Sequence, residues 1–253
     1  MWRGEPTYLL RNLILKDFRI RYRNMSLGVF WSLLNPLVMM GVFTFVFTKV
    51  MKTGDADFPV FVLCGLLPVN FFGMAWIGGT SSLVENVGLV KRVPMPREIV
   101  PVASVLSNCL HLAIQLALLL GMALLWGKGV HASWLWIVPL LSLFVVFVCG
   151  LALLFSALYV YIRDTRYVVE SANLVLFWLV PVFYPFAWVP AEYAGIYELN
   201  PVAAVVLGLR EIVLGATAPR GVLMWKLTVA ALGTLAIGHF VFHRLRRGFY
   251  QHL

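Results

Sequence analysis

Residues 134–162 read WLWIVPLLSLFVVFVCGLALLFSALYVYI and contain no charged side chain. A transmembrane helix needs about 20 mostly apolar residues to cross the hydrocarbon core of a bilayer. The apolar residues form a continuous run and do not alternate with polar ones, which argues against the strands of a membrane β-barrel. This segment therefore predicts an α-helix that spans a membrane.

The rest of the chain has the same character, because 61% of its residues are hydrophobic and only 12% are charged, whereas about a quarter are charged in a typical soluble domain. Five further segments are long and apolar enough to span: residues 27–50, 58–84, 100–126, 168–188 and 223–242. We therefore predict one all-α polytopic membrane domain, residues 1–253, with six spans. Pro68, Pro181 and Pro185 lie deep in their spans and predict kinks or breaks.

Two segments are predicted not to span. Residues 6–23 place apolar side chains at helical spacing between arginines and lysines, the pattern of an amphipathic helix that lies in the membrane interface. Residues 190–220 are too apolar for a solvated loop, and Asn200-Pro201 divides them. We expect a re-entrant pair of short helices on the outer side, packed against protein.

The distribution of positive charge predicts the orientation. With six spans and a cytoplasmic N-terminus, fourteen of the twenty Lys and Arg residues fall on the cytoplasmic side. Because cytoplasmic loops carry an excess of Lys and Arg, both termini are predicted to be cytoplasmic. The same bias explains most of the net charge of +9 without a nucleic-acid partner.

The sequence also lacks several motifs. It contains no GxxxxGK[ST] phosphate loop, so any ATP that drives this protein must be hydrolysed by a separate subunit. The three cysteines lie in apolar runs and predict no disulfide framework, and no HExxH motif or CxxC pair suggests a metal site. We expect neither a catalytic residue nor a cofactor in this chain.

Several motifs, in order, resemble those of ABC-2-type permeases that export polysaccharides, the Wzm-like membrane subunits of O-antigen, capsule and teichoic-acid transporters. They are LRNLILKDFRIRYR at 10–23, SLGVFWSLLNPL at 26–37, LVKRVPMPREIVP at 89–101, Arg163-Asp164, PVFYP at 181–185, Val189-Pro190, Asn200-Pro201 and Arg210. The resemblance implies a homodimer in the bacterial inner membrane that exports a lipid-linked polysaccharide. It also implies two partner ATPase subunits that bind ATP and Mg²⁺.

The loop after the second span is the candidate contact for that ATPase. Its apolar side chains are predicted to dock into a groove on the partner while its charges set the register. An ordinary positively charged cytoplasmic loop is the alternative. The candidate residues are Glu85, Leu89, Val90, Lys91, Arg92, Val93, Pro94, Met95, Arg97 and Glu98.

A second set of residues is the candidate lining of the translocation path. The third span carries Ser104, Asn108, His111 and Gln115 on one helical face, which predicts either hydrogen bonds between helices or a polar wall of the path. Aromatic residues near span ends either form interfacial belts or stack on sugar rings. The candidates are Phe30, Trp31, Asn108, His111, Gln115, Phe183 and Tyr184.

Arg19, Arg21 and Arg23 precede the first span and are candidates to hold the pyrophosphate of a lipid carrier, because guanidinium binds phosphate bidentately. Contact with anionic lipid head groups is the alternative. Two other functions are alternatives. An ABC-2 exporter of small molecules or drugs shares the fold, whereas an intramembrane enzyme built on Ser81, Ser82, His111 and His239 lacks a nucleophile motif.

Overall fold

The computed structural model describes residues 6–22, 30–52, 55–93 and 95–252, and within these ranges the chain is helical and contains no β-strand. The predicted all-α fold is therefore confirmed. The helices are α1 (Pro6–Tyr22), α2 (Trp31–Phe45), α3 (Phe58–Glu85), α4 (Val87–Arg92), α5 (Ile99–Leu125), α6 (Ile137–Tyr161), α7 (Thr165–Leu179), α8 (Ala191–Leu199), α9 (Pro201–Val213), α10 (Gly221–Leu245) and α11 (Phe249–His252).

Five continuous helical stretches in the described ranges are long and apolar enough to cross a membrane. They correspond to five of the predicted spans and are Trp31–Val50, Phe58–Glu85, Ile99–Leu125, Ala132–Tyr161 and Gly221–His252. The first of them continues α2 through a π-helical turn, Val46–Val50.

The predicted span at 168–188 is wrong as a continuous helix. Helix α7 has 15 residues and ends at Leu179, and Val180 adopts an extended conformation with φ −89° and ψ 134°. The cause is Pro181, which cannot donate a backbone hydrogen bond and pushes the residue before it out of the helical region. The break predicted at Pro181 and Pro185 is thus present, but Pro68 lies inside the uninterrupted helix α3.

Helix α3 is the centre of the bundle. Of its most apolar window, 78% is buried inside the chain, against 6% for the stretch Trp31–Val50. Glycines allow close packing around it and between its neighbours. A Cβ atom on Gly150 of α6 would lie 2.5 Å from the carbonyl carbon of Thr234 in α10, so the backbones of α6 and α10 are in direct contact.

The re-entrant segment predicted at 190–220 is a pair of short helices, α8 and α9, as expected. Asn200 separates them and caps α9, because its side-chain oxygen accepts a hydrogen bond from the Val202 amide at 3.0 Å. Residues 202–210 of α9 are all buried. Helix α9 therefore packs against protein, as non-spanning backbone at membrane depth requires. Helix α8 differs from the prediction, because Tyr193 and Leu199 on it are exposed.

Positive charges gather where the end of α3, the beginning of α5 and the ends of α6 and α10 meet, which we call the basic end. Lys16 of α1 donates a hydrogen bond to Asn86 at 2.7 Å, and Arg97 donates one to the carbonyl of Arg246 at 2.8 Å. At the opposite end, Lys128 pairs with Asp57. The Lys and Arg residues of the described basic end are Lys16, Lys91, Arg92, Arg97, Arg163, Arg166, Arg244, Arg246 and Arg247.

Candidate functional site

The loop between α3 and α5 folds as the short helix α4 followed by an extended turn. The sequence predicts that the apolar side chains of this loop project toward a partner. In the structure they are buried or partly buried. Val90 and Met95 are buried in a cluster with Phe242 and Phe249, and Leu89 and Val93 pack against the same cluster. In this conformation Val90 and Met95 anchor the loop to its own bundle, whereas Leu89 and Val93 are only partly buried. The insertion of these four residues into a partner stays a prediction.

The charged residues of the same loop divide into two groups. Glu85, Lys91 and Arg92 are exposed and face away from the cluster. Arg97 and Glu98 are partly buried and bind the C-terminal residues of the chain. Pro94 lies outside the described residues. A partner could therefore contact the exposed charges without displacing the buried side chains.

The arginines proposed to hold a head group are only partly described. Arg19 is exposed on α1, whereas the side chain of Arg21 and the whole of Arg23 lie outside the described residues. Leu13 on the opposite face of α1 is buried, and the helix packs along α5. An apolar face against protein and an exposed arginine agree with the predicted amphipathic helix.

The polar row of α5 faces protein. The exposed fractions of Ser104, Asn108, His111 and Gln115 are 9%, 1%, 7% and 7%. The Asn108 amide donates a hydrogen bond to the carbonyl of Ser104 at 2.8 Å, and Gln115 donates one to the carbonyl of Ser32 in α2 at 3.4 Å. Of the two explanations given for this row, the structure favours hydrogen bonding within the bundle.

The aromatic candidates lie in two separate places. Phe30 and Trp31 are exposed at the beginning of α2, with 68% and 48% of their surface accessible. Phe183 is buried after the break in α7 and stacks on Phe43, with ring centroids 3.8 Å apart. The neighbouring hydroxyl of Tyr184 donates to that of Tyr197 at 3.3 Å, so these side chains tie the broken segment to α2 and α8.

A groove of about 510 Å³ between α3 and α7 is a site that the sequence did not reveal. Glu85 and Arg166 lie at its basic end, and Arg166 forms an ion pair with Glu170 at 2.8 Å. That hydrogen-bonded carboxylate raises the pKa of Arg166. The lining residues are Val69, Asn70, Gly73, Met74, Ile77, Gly78, Ser81, Glu85, Arg166, Asn173 and Phe177.

Asn173 of α7 packs against Gly73 of α3 in the wall of this groove. A Cβ atom on Gly73 would lie 2.9 Å from its amide nitrogen, so the glycine provides the space that Asn173 occupies. Its side-chain oxygen is buried and has no hydrogen-bond partner in the described part of the chain. Asn70 stands alone in an apolar run, whereas Asn173 closely follows Glu170 and Ser171, so the sequence does not distinguish Asn173 as a site residue.

Arg210 is a buried cation at the opposite end. Its Nη2 donates to the carbonyl of Val182 at 2.7 Å, and its guanidinium carbon lies 3.5 Å from the ring centroid of Phe61. Its Nε and Nη1 have no hydrogen-bond partner among the described residues. The residue joins α9 to α3 and to the broken segment after α7.

The serines considered for an enzymatic site are engaged by their own helix. Ser81 donates to the carbonyl of Gly78 at 3.3 Å and Ser82 to that of Gly79 at 2.8 Å. The ring of His239 lies beside that of His243, four residues further along α10, with centroids 4.1 Å apart and an angle of 54° between the ring planes. In the described ranges no group of three or more His, Cys, Asp or Glu residues is placed to hold a metal ion.

Comparison with known proteins points to one family. Residues 8–214 match the family model described as ABC-2 type transporter. The chain is 26% identical over 239 residues to the O-antigen export system permease protein RfbA of Klebsiella pneumoniae, covering 92% of this chain and 90% of that protein. It is 29% identical over 208 residues to the RfbA protein of Myxococcus xanthus, covering 81% and 79%. It is also 26% identical over 234 residues to the polysialic acid transport protein KpsM of Escherichia coli, covering 89% of each chain.

Proposed function

The chain belongs to the ABC-2 type transporter family, and from that premise we propose that it is the membrane-spanning permease subunit of a bacterial polysaccharide exporter. The similar proteins from three organisms are named for O-antigen export or polysialic acid transport. The proposed cargo is a polysaccharide on a lipid carrier, moved across the inner membrane. Export of small molecules or drugs is the alternative for this family.

The groove between α3 and α7 is the observation that carries the proposal. Met74 in its lining is 39% exposed, so the groove opens at the surface of the chain. Its lining includes Asn70 and Asn173, and the buried side-chain oxygen of Asn173 has no hydrogen-bond partner in the described ranges. Such a group is costly to bury in hydrocarbon, and water or a hydrated glycan can satisfy it, whereas a lipid tail cannot.

A second copy of the chain would complete the path. The stretch Trp31–Val50 is 6% buried in its spanning window and therefore presents most of its apolar surface to lipid or to another subunit. Symmetric pairing brings two equivalent grooves together around one axis. We propose a homodimer with the path between the subunits and α2 at its wall.

The energy would come from two separate ATPase subunits that bind ATP and Mg²⁺, because this sequence has no phosphate loop. The proposed contact on this chain is the exposed surface of the loop, formed by Glu85, Lys91 and Arg92 at the basic end. That end and both termini are proposed to face the cytoplasm, in keeping with its surplus of cations. Arg19, Arg21 and Arg23 remain the proposed contacts for the carrier pyrophosphate.

Deletion of the gene in its host tests the proposal. We expect polysaccharide to disappear from the cell surface and to accumulate inside the cell on its lipid carrier, and the intact gene to restore the surface polymer. Surface polysaccharide that is unchanged in the deletion strain, together with an altered tolerance to small toxic compounds, would favour the drug-exporter alternative.

A further inference from the structure

We propose that residues 242–252, here called the C-terminal clamp, are a positioning element that holds the loop between α3 and α5 and carries its movement to α6 and α10. The proposal rests on the proposed function, in which an ATPase pushes on that loop. The clamp comprises the end of α10, a 3₁₀ turn (Arg246–Gly248) and α11.

An apolar contact joins the clamp to the loop. Phe249 is completely buried, in the cluster that also contains Val90 and Met95 of the loop. Its ring meets Phe242 edge to face, with centroids 5.3 Å apart and an interplanar angle of 90°. Burying a whole phenylalanine side chain contributes strongly to holding two segments together. The loop is therefore packed on the C-terminus as well as on its own flanking helices.

Polar contacts fix the register of the same two segments. The Tyr250 hydroxyl donates to the carbonyl of Lys91 at 2.9 Å, and this carbonyl lies in the last turn of α4, where backbone acceptors lack partners within the helix. The Arg97 guanidinium lies 4.9 Å from the centre of the Tyr250 ring and also donates to the carbonyl of Arg246. Glu98 pairs with Arg246 at 3.1 Å and with His243 at 3.0 Å.

Hydrogen bonds also join the clamp to α6 and to the residue Arg163 that follows it. Tyr161 donates its hydroxyl to the carbonyl of Leu245 at 2.7 Å, and Arg163 donates to that of His252 at 3.3 Å. Gly248 packs directly under the Tyr161 hydroxyl, which leaves no space for a Cβ atom. Further along the same helix pair, the backbones of α6 and α10 touch at Gly150. Helices α6 and α10 and the clamp thus form one packed unit.

These contacts determine which helices move when the loop is displaced. The chain itself connects the loop to α3 and α5, and the clamp joins it to α10 and α6. Packed elements of this kind move against one another as rigid bodies and do not deform continuously. A displacement at Lys91 and Arg92 therefore reaches four of the five spanning stretches in the described ranges together. Leu153, Ala157 and Val160 of α6 already lie in the same cluster as Val90, and the clamp adds α10 together with further contacts to α6.

Two substitutions test the clamp in the complete transporter, reconstituted with its ATPase and with the lipid-linked polysaccharide extracted from the host cells. Tyr250→Phe removes one hydroxyl and keeps the ring over Arg97. We expect glycan exported per ATP hydrolysed to fall about threefold, the effect of roughly one hydrogen bond. Phe249→Ala should lower this ratio further, about tenfold, and Phe249→Leu should restore most of it.

Tyr193→Phe is the matched control, because Tyr193 is 53% exposed on α8 and has no part in the clamp. It should leave the ratio unchanged. If Tyr250→Phe and Phe249→Ala keep the wild-type ratio, or lower only the amount of folded protein in the membrane, the clamp is merely structural and the proposal is overturned.

A separate pair of variants tests the premise. Lys91→Glu with Arg92→Glu should abolish copurification of the ATPase, while the clamp variants should retain it. Copurification that survives the charge reversals would place the ATPase contact elsewhere and refute the proposed function of the loop. The clamp proposal fails by a different result, namely an intact ATPase contact with unaltered coupling.

Discussion

Two sets of polar side chains lie within the membrane-spanning bundle, and their surroundings are opposite. The row on α5 is almost completely buried, and Asn108 and Gln115 donate to backbone carbonyls of α5 and α2. The groove between α3 and α7 opens at the surface, and the Asn173 oxygen on its wall has no partner in the described ranges. The polar row is satisfied within the subunit, whereas we propose that water, cargo or a second subunit satisfies the Asn173 oxygen in the groove.

The largest effect that this comparison predicts is from blocking the groove. Asn70→Trp places an indole in the space of about 510 Å³ between α3 and α7, and we expect export to fall about tenfold or more because the free cross-section of a path limits what passes. The measurement is surface polysaccharide per molecule of inserted protein. Val229→Trp, on an exposed position of α10, is the control and should have no effect.

A smaller effect is expected from changing the polarity of the groove without changing its size. Asn173→Leu should lower export about threefold, because it removes a hydrogen-bonding group from the wall of a hydrated path. Thermal stability should be unchanged or slightly higher, since the oxygen that disappears is buried without a partner. A large loss of stability with normal export per folded molecule would place Asn173 with the structural residues.

The smallest effect on export is expected in the α5 row. Asn108→Leu should reduce the free energy of unfolding by about 0.5–2 kcal/mol, the range for hydrogen bonds inside membrane bundles. Export per folded molecule should stay the same, because this side chain is 1% exposed and faces protein. Thermal unfolding in detergent and export in cells are measured on the same variant. Lost export at unchanged stability would show that the row lines the path after all.

Sequence patterns predicted the features that lie within one helix or one short segment. Continuous apolar runs locate the five spanning helices, and Pro181 explains why the segment at 168–188 cannot be a sixth continuous one. The α5 row is visible because its residues repeat along a single helix. The re-entrant pair follows from an apolar segment divided by Asn200-Pro201.

The groove and the clamp could not be foreseen in this way, because each is assembled from segments distant in sequence. Asn70 and Asn173 face the same space only after α7 packs on α3. The sequence predicted that the apolar residues of the loop bind a partner, because no neighbouring stretch of the sequence indicated that they pack within the chain. Phe249, which lies in the same buried cluster as Val90, follows much later in the chain.

Arg210 has a consequence for the order in which the protein is inserted into the membrane. A lone charged side chain at membrane depth costs about 2.5–3.5 kcal/mol, and α9 offers nothing to offset this by itself. The partners of Arg210 are Phe61 and the carbonyl of Val182, and both precede it in the chain. Because synthesis proceeds from the N-terminus, these partners are already in the membrane when α9 leaves the ribosome. The stable insertion of α9 therefore depends on the earlier packing of α3 and of the segment that follows α7.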